Sequence, residues 1–579
     1  MRRAALLLLP LLVAAAPQDW NARFKAIYSD EYAWRLHSFA QPEGPRGQRI
    51  MSAHLPDVSP QAQAERTAMW EKVEGQLATV PQDRLTAENR VNFAVYKGQI
   101  DALLAAQRFH EWEKPANSDS SFWGDLSGVD DKPLRSAQEY RNFIGQLTEV
   151  PRYFDQQIVN MKAGEARGFT PPKVTLAGRD GSIAMVANAK SAEETGFWAP
   201  FKTMPANIPA AEQETLRAEA RKAIMTSVVP SYAKLLTYWQ GDYVPHANPE
   251  LAAEKQPGGA AYYRSKIREF TTLDLTPDQI HAIGLQEVAS IHAEMLAVMK
   301  QVGFKGDFPA FLTFLRTDPR FYAKTPDELL KDAAWIAKTF DGKAATWFGH
   351  LPRRRFAIIP VPAAIAPFYT AGRGGDGVYL VNTQNLPSRP LYQLTALTLH
   401  ESAPGHAFQI PLAAEAKDQP EFRSAGYISA YGEGWALYCE RLGDEMGMYQ
   451  TPYDRFGMLS YQMWRASRLV VDTGVHHLGW TRAQAIAFLH DNTALSDHEI
   501  ETEVDRYISW PGQALSYYLG EKTIRDDRAK AEKALGPKFN IRAFHDTILA
   551  LGSVPMSALN ARVDQFIAEG GKGPYPGEE

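Results

Sequence analysis

The run Thr398-Leu399-His400-Glu401-Ser402-Ala403-Pro404-Gly405-His406 holds the residues best suited to chemistry. Two imidazoles can hold a divalent zinc ion, and a glutamate beside the first can take a proton from water at that ion. The usual spacing of the two histidines is i, i+4, which sets both on one helix face. Here it is i, i+6. Six residues of regular helix turn through roughly 600°, which carries His406 well round from His400. Pro404 and Gly405 offer a remedy. Proline removes a backbone donor and clashes with the turn before it, and glycine tolerates the distortion. The expectation is therefore a helix with a local bulge or kink at 404–405 that returns His406 to the His400 face. Two other His-Glu pairs, His110-Glu111 and His498-Glu499, have no second histidine close behind.

Zinc sites of this kind often take a glutamate from a following helix as third ligand. Glu433-Gly434-Trp435-Ala436-Leu437-Tyr438-Cys439-Glu440 follows in a strongly helical context. Glu433 and Glu440 share one helix face, about 10.5 Å apart in rise. Only one of them can ligate while the other supports a ligand from behind. Their apolar neighbours demand a partner for either carboxylate. Cys439, the single cysteine, reads as a small buried packing residue, and its solitude excludes disulfides within the chain.

These residues must be positioned by helices. Thr86 is a candidate N-cap before an amphipathic run through Phe109, and Thr276-Pro277 opens another helix. A further helix is expected from about Ile208 to Trp239. Residues 356–383 differ: Phe356 to Val361 and Val378 to Asn382 read as strands about a Gly-rich turn at 372–377, which predicts a small sheet within a helical protein. Val378 to Asn382 could serve as an edge strand for an extended peptide, with 372–377 as a mobile lip. From Leu391 to about Leu551 helical spacing returns.

The N-terminus reads as an address. Arg2-Arg3, an apolar run to Val13 and Ala14-Ala15-Ala16 form a secretory signal over 1–16, too short to span a membrane. No cysteine follows it, which argues against a lipid anchor. The expected product is periplasmic or secreted, with no membrane association after signal removal. It divides into an N-terminal helical lobe (17–255) and a catalytic lobe (256–579) holding the zinc site at 400–440. With 62 Lys and Arg against 67 Asp and Glu over 579 residues, the chain makes no case for a nucleic-acid partner.

The ordered motifs resemble those of the domain-of-unknown-function 885 family, bacterial proteins read as metallopeptidases. They are His-Glu-Ser-x-Pro-Gly-His, Glu-Gly-Trp-Ala-x-Tyr-x-Glu, Arg468 to His476, Glu503 to Tyr507, Pro511 to Tyr517 and Phe544-His545-Asp546. The resemblance covers about Phe356 to Pro555. It implies a mainly α, two-lobed peptidase with a deep cleft and a small sheet near the active site, similar in architecture to the thimet-oligopeptidase and angiotensin-converting-enzyme group. It implies Zn2+ held by His400, His406 and Glu433, with Glu401 as general base and oligopeptides as substrates. It departs at Tyr518, where many relatives carry Lys.

An oxyanion formed in hydrolysis needs a donor besides the metal. His476 and Tyr517 are candidates, each beside a twin, His477 and Tyr518. Arg506 is a candidate for gripping a substrate carboxylate, or else pairs with Glu503 or Asp505. The alternatives are a zinc amidohydrolase acting on a non-peptide amide and a non-catalytic secreted peptide-binding protein. Ser231-Tyr232-Ala233-Lys234 also fits the Ser-x-x-Lys pattern of a serine acyl hydrolase, without its companion motifs.

Overall fold

The computed structural model describes residues 18–42, 50–118, 120–126, 133–363, 366, 369–416 and 418–577, so the signal expected at 1–16 lies outside the described residues. The fold is mainly α-helical with one three-stranded sheet. Local chemistry sets several helix starts. α1 (Ala87–Phe109) follows Thr86, whose hydroxyl accepts the Asn89 N–H at 3.2 Å. α2 (Pro277–Gln301) opens with a capping box between Thr276 and Gln279. Each such cap is worth about 1 kcal/mol. The helix expected from 208 to 239 is interrupted. Ala210–Ala223 is α-helical, Ile224–Val228 widens to a π turn and Val229–Tyr238 resumes. Pro230 has no N–H to give to the preceding turn, and the wider register absorbs that loss.

The sheet has the order β1-β3-β2, with β1 (Ala357–Pro360), β2 (Gly372–Gly375) and β3 (Val378–Val381). β3 pairs parallel with β1 and antiparallel with β2. This corrects the expected edge strand: residues 378–381 are central, with a neighbour on each side. It also corrects the expected lip. Gly372 to Gly375 is an ordered strand, joined to β3 by the two-residue turn Asp376-Gly377 with Gly377 at φ 87°.

Among the helices that follow, six build the site and its surroundings: α3 (Leu391–Glu401), α4 (His406–Glu415), α5 (Ser429–Glu445), α6 (Pro452–His476), α7 (Asp497–Ser509) and α8 (Ser516–Leu535). α6 is buried at every position from Phe456 to His476, polar residues included, and forms the axis of the C-terminal half. α2 lies along it, where Gly284 admits Leu469 and Val470. α5 and α8 cross where Gly434 meets Gly520, and a Cβ on Gly434 would press on the Gly520 backbone.

Among the described residues three apolar cores result. One lies wholly within residues 55–247. A second runs from Phe169 to Leu519 and encloses α2 and α6. The third joins Phe24 to Leu104 with Phe340 to Phe566. The division expected at 255 is therefore crossed by a shared core. Among the described residues no helix is long and apolar enough to cross a membrane.

Candidate metal centre

The two histidines do not share a kinked helix. α3 ends at Glu401, residues 402–405 form a turn, and His406 starts α4. Ser402 leaves the helix at φ −98° and ψ −113°, while its hydroxyl donates to the Thr398 carbonyl at 2.6 Å. A Cβ at position 405 would overlap the His400 carbonyl oxygen, so the turn closes only on glycine. The Trp435 indole N–H, from α5, donates to the Pro404 carbonyl at 2.8 Å and fastens the turn to the third element of the site. The rotation that a continuous helix would impose on His406 thus never applies.

His400 Nε2 lies 3.5 Å from Glu433 Oε2, and His406 Nε2 lies 3.3 Å from the same oxygen. One donor atom from each of the three residues falls within 4.8 Å of the other two. Two ligands bound tetrahedrally to one zinc ion at about 2.0–2.1 Å stand roughly 3.3–3.4 Å apart. The donor set therefore fits a metal ion. Glu440 stands behind it: its Oε1 meets His400 Nδ1 at 2.8 Å, fully buried. That carboxylate keeps a proton on Nδ1 and leaves Nε2 to face Glu433. Arg465 Nη2 lies 3.7 Å beyond, against the same Glu440 oxygen.

The electrostatics follow from this crowding. Burial raises the Glu433 carboxyl, but the His406 and His400 imidazoles outweigh it and hold the group well below the usual carboxylate range. Burial lowers His400, yet its bonds to Glu433 and Glu440 push it up to about 10. Glu401 is anchored from the sheet, its Oε2 accepting the Gly374 N–H at 2.6 Å. A Cβ on Gly374 would overlap the Glu401 backbone, so β2 approaches α3 only through glycine. Cys439 is buried, its thiol raised by that burial, and it stands outside the metal-capable group.

Other expected residues are placed differently. His476 is corrected: its Nδ1 accepts the Ala253 N–H at 3.1 Å and its Nε2 donates to the Tyr507 carbonyl at 2.8 Å. No ring nitrogen is left for an oxyanion. His477 faces Glu254 and Asp278 instead. The twin tyrosines diverge. Tyr518 donates to Glu287 at 2.7 Å, while Tyr517 has its hydroxyl 3.4 Å from Arg506 Nη2 and its ring 4.4 Å from the Arg468 guanidinium. Arg506 approaches Glu503 at 3.4 Å and donates to Gln513 at 2.7 Å. Ser231 donates to the Ser227 carbonyl and Lys234 pairs with Asp155, so that pair makes no nucleophile.

One residue of the site escaped the sequence. Tyr427 stands in the loop before α5 and donates its hydroxyl to Glu433 Oε1 at 3.1 Å. Desolvation of its hydroxyl and the Glu433 carboxylate raise its phenol above its ordinary value, although 54% of the residue stays exposed. No motif flags it; the only signal is a tyrosine six residues before the third ligand.

Solved structures that the chain resembles over nearly its whole length include two of bacterial origin. A candidate lipoprotein from Colwellia psychrerythraea is 26% identical, with a TM-score of 0.86, covering 95% of this chain and 99% of that one. A second, of unknown function, from Shewanella oneidensis is 18% identical, with a TM-score of 0.67, covering 94% and 99%, and shares the fold. An M32 carboxypeptidase from Deinococcus radiodurans R1 aligns at 13% identity over 87% and 91%, but a TM-score of 0.29 carries no argument. No curated protein matches. The model of one family matches residues 43–563, nearly the whole chain, and the protein thereby belongs to DUF885, bacterial proteins of unknown function.

Proposed function

We propose that the protein is an exported, zinc-dependent hydrolase of peptide bonds in oligopeptides. The observation that carries this reading is the approach of His400 Nε2 and His406 Nε2 to one oxygen of Glu433, at 3.5 and 3.3 Å. His400, His406 and Glu433 would hold the ion. When bound, zinc supplies Lewis acidity toward a carbonyl oxygen and acidifies water. Glu401 is the general base. Its Oε2 is fixed by the Gly374 N–H, and its second oxygen takes the proton of the attacking water. The same carboxyl then returns that proton to the leaving amine. Glu440 holds the His400 ring in place and contributes no chemistry of its own. The oxyanion is met by a phenol, Tyr427 or Tyr517, rather than by His476.

Export rests on the signal read at 1–16, and the oligopeptide class on the family resemblance. Elemental analysis of wild type beside His400→Ala tests the centre, with about one zinc per chain expected in the first and none in the second. Peptide-library hydrolysis that stops with chelator and returns with zinc tests the reaction. Stoichiometric zinc without hydrolysis of any peptide would move the reading to a non-peptide amide.

A further inference from the structure

The metal centre leaves unexplained a group of arginines beside it. Arg465 and Arg468 are three residues apart on α6 and both are buried. The Arg465 guanidinium lies over the rings of Tyr461 and Trp464, at 4.6 and 4.3 Å, with Nη2 near Glu440. Its Nε and Nη1 have no hydrogen-bond partner among the described residues. Arg468 lies 4.4 Å from the ring centres of both Trp464 and Tyr517. Its Nε donates to Tyr507 and its Nη2 to Glu503, while Nη1 has no partner among the described residues. Arg506 reaches the same Tyr517 and Glu503 from α7.

A buried N–H without an acceptor costs about 1–3 kcal/mol, more on a charged group. Three such N–H groups on two neighbouring guanidiniums call for an anion. The nearby carboxylates do not supply it. Glu440 gives its Oε1 to His400, and its Oε2 meets no hydrogen-bond donor among the described residues, while Glu503 is shared between Arg468 and Arg506. Glu499 is pushed up to about 7 by burial, so near neutral pH it carries only part of a charge. Arg465 links the group to the metal centre, because its Nη2 lies 3.7 Å from the Glu440 oxygen that holds His400.

We propose that Arg465, Arg468 and Arg506 form a carboxylate-binding subsite beside the metal centre, so that its preferred substrates are peptides presenting a free carboxylate near the scissile bond. The guanidinium fork matches a carboxylate in two parallel hydrogen bonds. The word substrate rests on the zinc-hydrolase reading; the anion subsite does not.

The test uses zinc-loaded protein and three peptides of one neutral sequence: the free acid, its C-terminal amide, and the amide with a terminal glutamate residue. Cleavage is read as kcat/KM. Binding is read by calorimetry on Glu401→Gln, which holds substrate without turnover. The free acid is expected to exceed the neutral amide by about 30-fold, the scale of one charge-assisted bidentate contact. Arg468→Met should bring that ratio toward one. Arg506→Gln, at a half-buried position, should do the same and serves if the first variant fails to fold. Recovery by the glutamyl amide would assign the subsite to acidic side chains as well as chain ends. Equal handling of acid and amide, or a ratio unchanged in every folded variant, overturns the proposal. If no peptide is cleaved but the acid binds better than the amide, the subsite stands and the peptidase reading falls.

Discussion

Glu440 holds Nδ1 of His400 at 2.8 Å, while Glu433, seven residues earlier on the same helix, faces Nε2 of that ring at 3.5 Å. One imidazole is thus gripped from both ends by a single helix. Seven residues amount to about 10.5 Å of rise, which two glutamate side chains leaning toward each other across a ring can close. On the zinc reading proposed above the pair would divide the labour, one carboxylate meeting the metal and the other fixing the tautomer.

Replacing Glu440 by Gln should therefore leave zinc stoichiometry intact but weaken affinity about 10–100-fold. Glu433→Ala should abolish stoichiometric binding. Competition against a chromogenic chelator measures both, and the opposite ranking would exchange the two assignments.

Glu401→Gln should keep its zinc and lose about 10²–10⁴-fold in kcat. Steady-state kinetics on the metal-replete variant decides this. Activity near wild type would remove Glu401 as the base.

Gly405→Ala places a methyl group on the His400 carbonyl. The turn must open, and His406 moves with it. A stability loss of about 3 kcal/mol or more is expected, among the larger single-residue effects, together with lost metal. Thermal melts with and without zinc would record a variant that the ion no longer stabilises. A zinc-dependent rise in Tm equal to that of wild type would refute this account of the turn.

His476 gives a pH test away from the His400, His406 and Glu433 group. Burial holds it down to about 4, and both its nitrogens are engaged by backbone. In the unfolded chain it binds a proton near 6.5. Between those values the unfolded state holds more protons, so its stabilising effect is complete above pH 6.5 and lost as pH falls toward 4. At about 1.4 kcal/mol per unit, the stability gap between wild type and His476→Gln should shrink by roughly 3 kcal/mol from pH 7 to 4. Denaturant titrations of both proteins cancel the carboxylates that titrate alongside. A constant gap would mean that the folded ring takes up its proton as readily as the unfolded one.

Much of this was legible where the chemistry is local. The caps at Thr86 and Thr276 need only residues within one turn. The grouping of His400, His406 and Glu433 was legible because the His-Glu motif and the later Glu-Gly-Trp motif carry these residue types in order along the chain. The break between α3 and α4 was not, because a proline and a glycine fit either a kink or a stop. The fate of His476 depends on Ala253 and Tyr507, which lie far away in sequence and become neighbours only through folding. The same holds for residues 378–381. A strand's own pattern does not reveal whether it has one neighbour or two, and β1 and β2 together make it central.

The core that unites Phe24 to Leu104 with Phe340 to Phe566 has a consequence for biosynthesis. The Gln99 side chain donates to the Phe422 carbonyl across 323 positions of sequence. At about 5–20 residues per second, the ribosome takes roughly 16–65 s to deliver the second partner after the first. Throughout that interval Tyr96, which packs on Phe24 and Tyr28 within the N-terminal segment, lacks its remaining cover from Phe422. The N-terminal helices are thus the last to be sealed although they are the first to be made, and the newborn polypeptide is a client for whatever holds unfinished chains apart.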